Sequence, residues 1–297
     1  MGKKLLVLFF KLKFCIHMVK SFLRVFSHVL FFCVLSFVSL ISAKAQVAPN
    51  DNISHAFSAG EEITYVLSYT WLFIWTDVGE ARFKVLPDTL NSTSLLHLNV
   101  FGTSYPFYDW FFKVRDVYES WVEPSTLIPI RFNRDINEGG YTKENEYDFN
   151  WERNEVNARI KRRGGEDQFY TIPVEPETVD VVTAIYITRN LDFSKAIPLA
   201  SYQVSVILDK EIYKVKYTYL KRETRKVRGV GEFNTLKFRV ELIAGDVFKE
   251  GQYLFVWVSD DLNRVPVYIE SPIKVGSIRG RINSWKGLSH PLRSKID

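Results

Sequence analysis

The chain has 297 residues, of which 39 are basic and 34 acidic, so its formal net charge is +5. Seven of the basic residues and none of the acidic ones lie in residues 1–45, which leaves 32 basic against 34 acidic residues in the remainder, a net charge of −2. No nucleic-acid partner is expected, because the basic character belongs to a segment that we expect the mature protein to lack.

The first predicted element is a secretory signal peptide over residues 1–45. A short basic stretch after Met18 leads into the apolar run 29–41, and Ala43 and Ala45 form a small-x-small cleavage site before Gln46. These three parts in this order are typical of an export signal. We take Met18 as the expected start, because residues 1–17 lengthen the basic part unusually. An uncleaved membrane anchor is the alternative, but the apolar run is short for a span.

The cysteine content supports export in a soluble form. Cys15 and Cys33 both lie in the leader, so the processed chain has no thiol for a disulfide, a nucleophile or a metal ligand. No cysteine directly follows the apolar run, which argues against lipid attachment. We therefore expect a soluble exported protein, periplasmic or extracellular, that is not a lipoprotein and has no membrane-spanning segment after signal removal.

Residues 46–297 are predicted to form a single β-rich domain. Apolar and polar residues alternate with period two, which is typical of antiparallel strands with one buried face. The clearest alternating stretches are 80–85, 145–151, 156–161, 213–219 and 236–242. Turn-forming residues separate the strands at 87–88, 137–140, 152–154, 163–165, 249–251 and 260–263. The pattern predicts an all-β fold, a large curved antiparallel sheet or open barrel of about a dozen strands.

One helix is predicted within this β pattern, over residues 178–191. Val179, Val182, Ile185 and Tyr186 share one face of it, and Thr178 or Asp180 would cap its N-terminus. Its β-branched residues give a weak helix in isolation. We therefore expect this helix to pack against the curved sheet.

Residues that carry chemistry are sparse. His55, His97 and His290 are too far apart in sequence to predict a metal site, and the acidic loop 260–263 is better explained as a hairpin turn than as a calcium loop. A glycosidase needs a pair of carboxylates, and the candidate pairs are Glu61–Glu62 and Asp116 with Glu119. Carboxylates so close in sequence on an alternating strand are more typical of solvent-exposed positions. No nucleophile or phosphate-loop motif is present, so we expect no catalytic residues, no cofactor and no metal.

Two clusters of side chains are candidates for binding. Aromatic residues concentrate in two short segments, where they would border an apolar cavity or pack in the core: Trp71, Phe73, Trp75, Phe107, Trp110 and Phe111. A basic cluster would contact an anion or protect a strand edge by its charge: Lys221, Arg222, Arg225, Lys226 and Arg228.

Several sequence strings together resemble one known family. They include Gly60-Glu61-Glu62-Ile63-Thr64-Tyr65, Asp180-Val181-Val182-Thr183-Ala184-Ile185-Tyr186 with Arg189, and Trp257-Val258-Ser259-Asp260-Asp261 followed by Val275-Gly276-Ser277. Their order resembles the exported bacterial family catalogued as domain of unknown function 3108. The resemblance covers nearly all of the chain after the leader and implies an envelope-associated β protein. It implies no activity, so no catalytic residues are carried over.

These observations predict a non-enzymatic exported envelope protein that binds a lipid or another hydrophobic ligand in the concave face of its sheet. A structural or scaffolding protein that binds an envelope protein is the alternative, and an enzyme acting on cell-wall glycan is a more distant one. A carrier would have a dry cavity, a scaffold a filled core with an exposed apolar patch, and a hydrolase a groove with converging carboxylates.

Overall fold

The computed structural model describes residues 56–71, 74–193, 196–241, 253–272 and 276–296. The predicted signal peptide, His55 and the predicted turn 249–251 lie outside these residues. In the described part the chain forms two helices, α1 (Pro106–Phe112) and α2 (Val181–Arg189), and sixteen strands. The strands are β1 (Glu62–Trp71), β2 (Ile74–Leu90), β3 (Thr93–Ser104), β4 (Arg115–Val122), β5 (Pro129–Glu138), β6 (Tyr141–Asn150), β7 (Glu155–Arg162), β8 (Gln168–Pro173), β9 (Thr178–Val179), β10 (Ser201–Leu208), β11 (Glu211–Val227), β12 (Gly231–Glu241), β13 (Tyr253–Ser259), β14 (Pro266–Pro272), β15 (Ser277–Lys286) and β16 (Lys295–Ile296).

All sixteen strands belong to one sheet. Fifteen follow the order β8-β7-β6-β5-β4-β3-β2-β1-β15-β14-β13-β12-β11-β10-β9, and β16 pairs with β12. Every pairing is antiparallel except that of β9 with β10. The prediction of one large curved antiparallel sheet with a packed helix is therefore confirmed.

Because neighbouring strands run in opposite directions, the connections between them gather at the two ends of the strands. Each of these two rows of strand ends is called an edge of the sheet here. One edge carries α1, the turns 139–140 and 163–165, and the turn at Asp209, and we call it the α1 edge. The opposite edge carries the turns at Asn91-Ser92 and Asn154 and the loop 260–265. The turns predicted at 137–140, 152–154, 163–165 and 260–263 are all present.

The sheet curls until its two ends meet. Asp209, at the tip of the β10–β11 hairpin, accepts hydrogen bonds from Arg134 of β5 and Lys143 of β6. The next residue, Lys210, places its Nζ 4.9 Å from the ring centre of Tyr170 in β8. The result is an open barrel whose concave face holds the main core.

Helix α2 lies inside this curve and is shorter than predicted. Asp180 is its N-cap, and Asp180 Oδ1 accepts hydrogen bonds from the backbone N–H groups of Val182 and Thr183, each at 2.9 Å. Thr178 instead belongs to β9, because it pairs with Ser205 of β10. The helix ends at Arg189, whose successor Asn190 donates its backbone N–H to the Ile187 carbonyl.

Two local predictions were wrong. Residues 87–88, predicted as a turn, lie within β2, and the chain turns instead at Asn91-Ser92. Val85 exchanges backbone hydrogen bonds with residues 60 and 61, just before β1 begins, so the missing N–H of Pro87 points to the same side at a position that β1 does not reach. A proline is tolerated there because no ladder bond is lost. The sequence also predicted a single helix, whereas residues 106–112 form a second one, α1, with Pro106 favoured at the first helical position.

Candidate functional site

An apolar cavity of about 180 Å³ lies between the concave face of the sheet and α2. Its walls come from the middle of the sheet and from one face of the helix, so residues distant in sequence meet there. The residues that line it are Ile63, Tyr65, Leu67, Ala81, Phe83, Ala184, Ile185, Tyr186, Thr188, Arg189, Phe193, Val204, Val215, Tyr217, Phe238, Val240, Val256, Val258, Arg264, Pro266, Ile269, Ile278 and Gly280.

The charge of Arg189 at the cavity wall is neutralised within the protein. Arg189 and Glu61 are both almost fully buried, and their two nitrogen–oxygen contacts are 2.6 Å and 2.8 Å long. The guanidinium also donates to the carbonyl oxygens of Asn263 and Ala56. Although burial opposes the charged form, the bond with Glu61 outweighs it and raises the pKa of Arg189. Arg189 therefore links α2 to the start of β1 and to the loop before β14.

Tyr65 and Tyr186 are two of the lining residues that carry a polar group. Burial raises the pKa of Tyr65 and of Tyr186 well above the ordinary value, so both hydroxyl groups stay neutral. The Tyr186 hydroxyl is buried and has no hydrogen-bond partner within the protein. The ring of Tyr186 packs edge-on against Phe57 with ring centres 4.7 Å apart. The cavity is thus bordered mainly by apolar and neutral groups, together with the paired Arg189 and with Arg264, which donates to the Arg189 carbonyl oxygen at 3.1 Å.

A second buried polar network fixes the N-terminus of α2. Asp180 Oδ2 accepts hydrogen bonds from the hydroxyl groups of Ser120 in β4 and Thr183 in α2, each at 2.7 Å. Burial raises the pKa of Asp180, although these hydrogen bonds favour the charged carboxylate and reduce the rise. Together with the Glu61–Arg189 pair, this network fixes both ends of the helix against the sheet and sets the width of the cavity.

A third cluster is charged and lies on the concave face near the α1 edge. Asp116 of β4 and Arg134 and Glu138 of β5 are buried there, next to Lys143 and the Asp209 carboxylate. Burial raises the pKa of Asp116, and burial together with the Asp116 carboxyl raises the pKa of Glu138. Sequence reasoning missed this cluster, because Glu138 and Arg134 approach Asp116 only through strand pairing.

The carboxylate pairs considered in the sequence do not come together. Glu61 faces Arg189 inside the barrel, whereas Glu62 points outward to Lys84 and Lys286. Asp116 is buried, whereas Glu119 contacts His97 at 3.0 Å, Nε2 to Oε1, on the other face of the sheet. Residues separated by one or three positions in a strand face opposite sides.

The aromatic residues proposed as a cavity border lie elsewhere. Phe107 and Trp110 are 73% and 81% exposed on α1, Trp75 is exposed near the start of β2, and Phe111 is half-buried. None of these four lines the cavity. Phe73 lies outside the described residues, and so does the side chain of Trp71. The alternation of apolar and polar residues within each strand indicates which side chains face the core. It does not indicate which strands face one another across the cavity.

The basic cluster lies on β11 and in the turn that follows it, and several of its charges are paired. Lys221 contacts Glu223 at 2.7 Å, and Arg222 contacts Asp260 at 2.8 Å. The Arg225 guanidinium carbon lies 3.9 Å from the ring centre of Tyr268 and 4.3 Å from that of Trp257. These contacts leave fewer charges for an anion than the sequence alone indicated, although Lys226 and Arg228 have no ion pair shown.

The acidic loop 260–263 acts as a hairpin connection. Asp261 Oδ1 accepts hydrogen bonds from the Ser259 hydroxyl and from the Asn263 backbone N–H, each at 3.0 Å. Asn263 in turn holds the C-terminal segment through the backbone of His290. Within the described residues, no group of three or more histidine, cysteine, aspartate or glutamate residues is placed to hold a metal ion.

Fold and cavity together define an open β-barrel-like protein with an apolar cavity between its sheet and α2. Comparison with protein families agrees: the chain belongs to the family described as protein of unknown function (DUF3108), whose model matches residues 64–283. The chain has no significant match among curated proteins.

A solved structure shares the fold. It is a beta-barrel-like protein of domain of unknown function DUF1849 from Brucella abortus, which is similar to this chain with a TM-score of 0.51 and 8% sequence identity. The similarity covers 77% of this chain and 98% of the other. At that identity the match shows a shared fold alone. Among the residues described, no helix has the length and apolar character needed to cross a membrane.

Proposed function

We propose that this protein is an exported, non-enzymatic component of the bacterial cell envelope that holds an apolar chain of a lipid in the cavity between α2 and the sheet. The observation that carries the proposal is the cavity itself, whose walls are almost entirely aliphatic and aromatic. Cavities of about 150 Å³ with such walls stay free of water and take up small apolar molecules. An acyl chain satisfies these walls because it needs no hydrogen-bond partner.

The size of the cavity limits what enters it. A volume of 180 Å³ is close to that of the cavities of about 150 Å³ that take up a molecule of the size of benzene. A segment of about six methylene groups is of similar size and would contribute about 5 kcal/mol when removed from water. The ligand part inside the barrel is therefore a segment of an acyl chain, and the headgroup remains outside.

The polar groups of the cavity fit the same ligand. Arg189 is already paired with Glu61, so its charge does not favour a free anion inside the barrel. The Tyr186 hydroxyl is buried, so it adds no polar surface to the cavity that would oppose an acyl chain. Export rests on the predicted signal peptide, and mass spectrometry of the processed chain should find Gln46 as its first residue.

A cavity-filling substitution tests the proposal. A Cβ added at Gly280 would lie 3.4 Å from the Cδ2 atom of Leu67 and 3.8 Å from the Cβ atom of Ile269, which both line the cavity. Gly280→Leu therefore places its side chain in the cavity. Asn283→Leu, on the same strand but exposed, adds a comparable residue outside and is the matched control.

The measurement is the fluorescence increase of N-phenyl-1-naphthylamine, an apolar probe, and its displacement by fatty acids. We expect the parent protein and Asn283→Leu to bind the probe with equal affinity and Gly280→Leu to bind it at least about tenfold more weakly. Organic extraction of protein purified from its native envelope should release lipid. Equal probe binding by Gly280→Leu, or no binding by the folded parent protein, would contradict the proposal.

A further inference from the structure

The exposed aromatic side chains of this protein are not scattered but gather at the α1 edge. In the described residues, the large apolar side chains with substantial exposure include six aromatic ones, and all six lie at or next to that edge. They are Trp75, Phe107, Trp110, Tyr141, Phe169 and Tyr253. The remaining exposed side chains of this kind are aliphatic and lie elsewhere: Leu86, Ile128, Ile197, Leu199, Leu262 and Ile296.

Strand direction explains why these six residues share an edge. Tyr141, Phe169 and Tyr253 are the first or second residues of β6, β8 and β13, which all start at the α1 edge. Trp75 is the second residue of β2, which starts there too. The sheet topology thus collects side chains from four strands and one helix into a single rim, which we call the aromatic rim.

Helix α1 holds the most exposed part of the rim in an ordered position. Asp109 forms an ion pair with Arg115, with 2.6 Å between carboxylate and guanidinium atoms, and the Tyr108 hydroxyl is hydrogen-bonded to Thr76. Phe112 packs inward against the β5–β6 turn, where a Cβ on Gly139 would lie 2.4 Å from its ring. Phe107 and Trp110 are thereby directed to the solvent by a helix that is itself fixed. Large exposed aromatic side chains on a fixed element mark an interaction surface.

Basic side chains accompany the aromatic ones. Lys113, Arg162 and Arg163 are exposed at this edge, and Gly140 lies beside the Arg163 guanidinium. Most carboxylates of the edge are engaged in ion pairs, Asp77 with Arg281, Asp109 with Arg115 and Asp167 with Arg159. Glu166 and Glu211 are exposed acids there without an ion pair shown. The rim therefore combines exposed basic groups with aromatic rings, the combination that suits the boundary between anionic headgroups and acyl chains.

We propose that the aromatic rim docks the protein onto the surface of a lipid bilayer that contains anionic lipids, with Phe107 and Trp110 inserted among the headgroups. Trp and Tyr favour this boundary because one part of each ring is apolar and another forms hydrogen bonds. Arginine and lysine add attraction to the anionic headgroups. The interaction does not depend on whether the cavity holds an acyl chain, since the cavity and the rim share no residue.

Vesicle flotation tests this docking. The protein, in the processed form isolated from the producing cells, is mixed with vesicles of phosphatidylcholine alone or with phosphatidylglycerol in equal parts, and the floating fraction is measured. We expect the protein to float with the mixed vesicles and the double variant Phe107→Ser with Trp110→Ser to bind them at least about tenfold more weakly. The control double variant Ile197→Ser with Leu262→Ser removes exposed aliphatic side chains from other surfaces and should float like the parent protein.

Two further measurements separate the alternatives. Arg162→Gln with Arg163→Gln should weaken binding to the mixed vesicles and leave the weaker binding to phosphatidylcholine unchanged. Gly280→Leu should float normally even if it no longer binds the apolar probe, so failure of the cavity and failure of the rim are distinguishable. Flotation of the Phe107/Trp110 variant equal to that of the parent would overturn the proposal. So would a dimer without vesicles that this variant dissociates, because the rim would then be a contact between two copies of the chain.

Discussion

Arg134 and Asp209 join two parts of the barrel that are 75 residues apart in sequence, with 2.8 Å between Nη2 and Oδ1. Arg134 lies on β5 and Asp209 at the tip of the β10–β11 hairpin. Burial alone would raise the pKa of Asp209, but Arg134 and Lys143 outweigh it and lower the pKa to about 2. The Tyr147 hydroxyl adds a hydrogen bond to the Asp209 carbonyl at 2.9 Å. This contact is where the curled sheet closes on itself.

Asp209→Asn tests the strength of this closure. The change removes the carboxylate that both buried cations, Arg134 and Lys143, contact, so we expect a loss of about 2–3 kcal/mol in the free energy of unfolding, the lower part of the range for breaking buried pairs. The lower part applies because the Asp209 side chain is 36% exposed and solvent screens it. Asp148→Asn, which breaks the exposed pair with Arg131 on the outside of β6, should cost under about 1 kcal/mol. Urea unfolding of the two variants gives the comparison, and equal losses would contradict the role assigned to Asp209.

Neighbouring glutamates provide a second matched pair. Glu61→Gln leaves Arg189 charged and buried, and we expect it to lower the free energy of unfolding by about 3–5 kcal/mol. Glu62→Gln removes only partly exposed contacts with Lys84 and Lys286 and should cost under about 1 kcal/mol. If Glu62→Gln lowered the free energy of unfolding as much as Glu61→Gln does, burial of the Glu61–Arg189 pair would not explain the loss.

The buried carboxyl groups of Asp116 and Glu138 make stability depend on pH. Since their pKa values are raised in the folded protein, the native state binds more protons than the unfolded chain above the ordinary carboxyl pKa of about 4. The free energy of unfolding should therefore fall as the pH rises from about 4 towards neutrality, by up to about 1.4 kcal/mol per pH unit for each group.

Glu138→Gln should remove part of that fall, which denaturant unfolding between pH 5 and pH 8 would reveal. Glu119→Gln is the control, because the pKa of Glu119 is shifted in the opposite direction from that of Glu138. The hydrogen bond from His97 lowers the pKa of Glu119, so its contribution is present above its unfolded pKa and is lost as the pH falls. The prediction fails if Glu138→Gln retains the whole decline.

Trp110 and Trp257 allow a substitution at an exposed ring to be compared with one at a buried ring. Trp110 is 81% exposed, so Trp110→Ala should change the free energy of unfolding by less than about 0.5 kcal/mol. Trp257 is 2% exposed and donates its indole N–H to Glu223 at 2.6 Å, so Trp257→Ala should cost about 3–5 kcal/mol. Thermal or urea unfolding measures both. A large loss for Trp110→Ala would place that ring in the core and remove it from the aromatic rim.

The local pattern of the sequence predicted most of the sheet, and the reason is visible in single strands. Tyr147 and Phe149 are buried and Asp148 is exposed, as alternation requires when one face of the strand meets the core. Asp180 was a predictable cap because its side chain bonds within three residues. Such features depend on neighbours in sequence, so they can be read without the fold.

Features that depend on strand pairing were not predictable in the same way. No pattern in the chain brings Glu138 to Asp116, or Phe238 and Val215 to one cavity, because register and curvature decide these contacts. α1 escaped prediction because Phe107 and Trp110 obscure the amphipathic pattern of a short helix. The closure at Asp209 was invisible for the same reason as the cavity, since its partners lie on strands that meet only after the sheet curls.

The pairing of β1 with β15 determines when this protein is able to fold. Glu62 lies opposite Lys286 and Ile63 opposite Trp285, so a strand near the start of the sheet waits for one of the last strands to be synthesised. Contacts between residues so far apart in sequence form slowly, because the loop between them must first be closed. We therefore expect the chain to remain without its completed barrel until synthesis is nearly finished. Under the export proposed above, a chain of that kind would reach a secretion channel before its barrel and its cavity have formed.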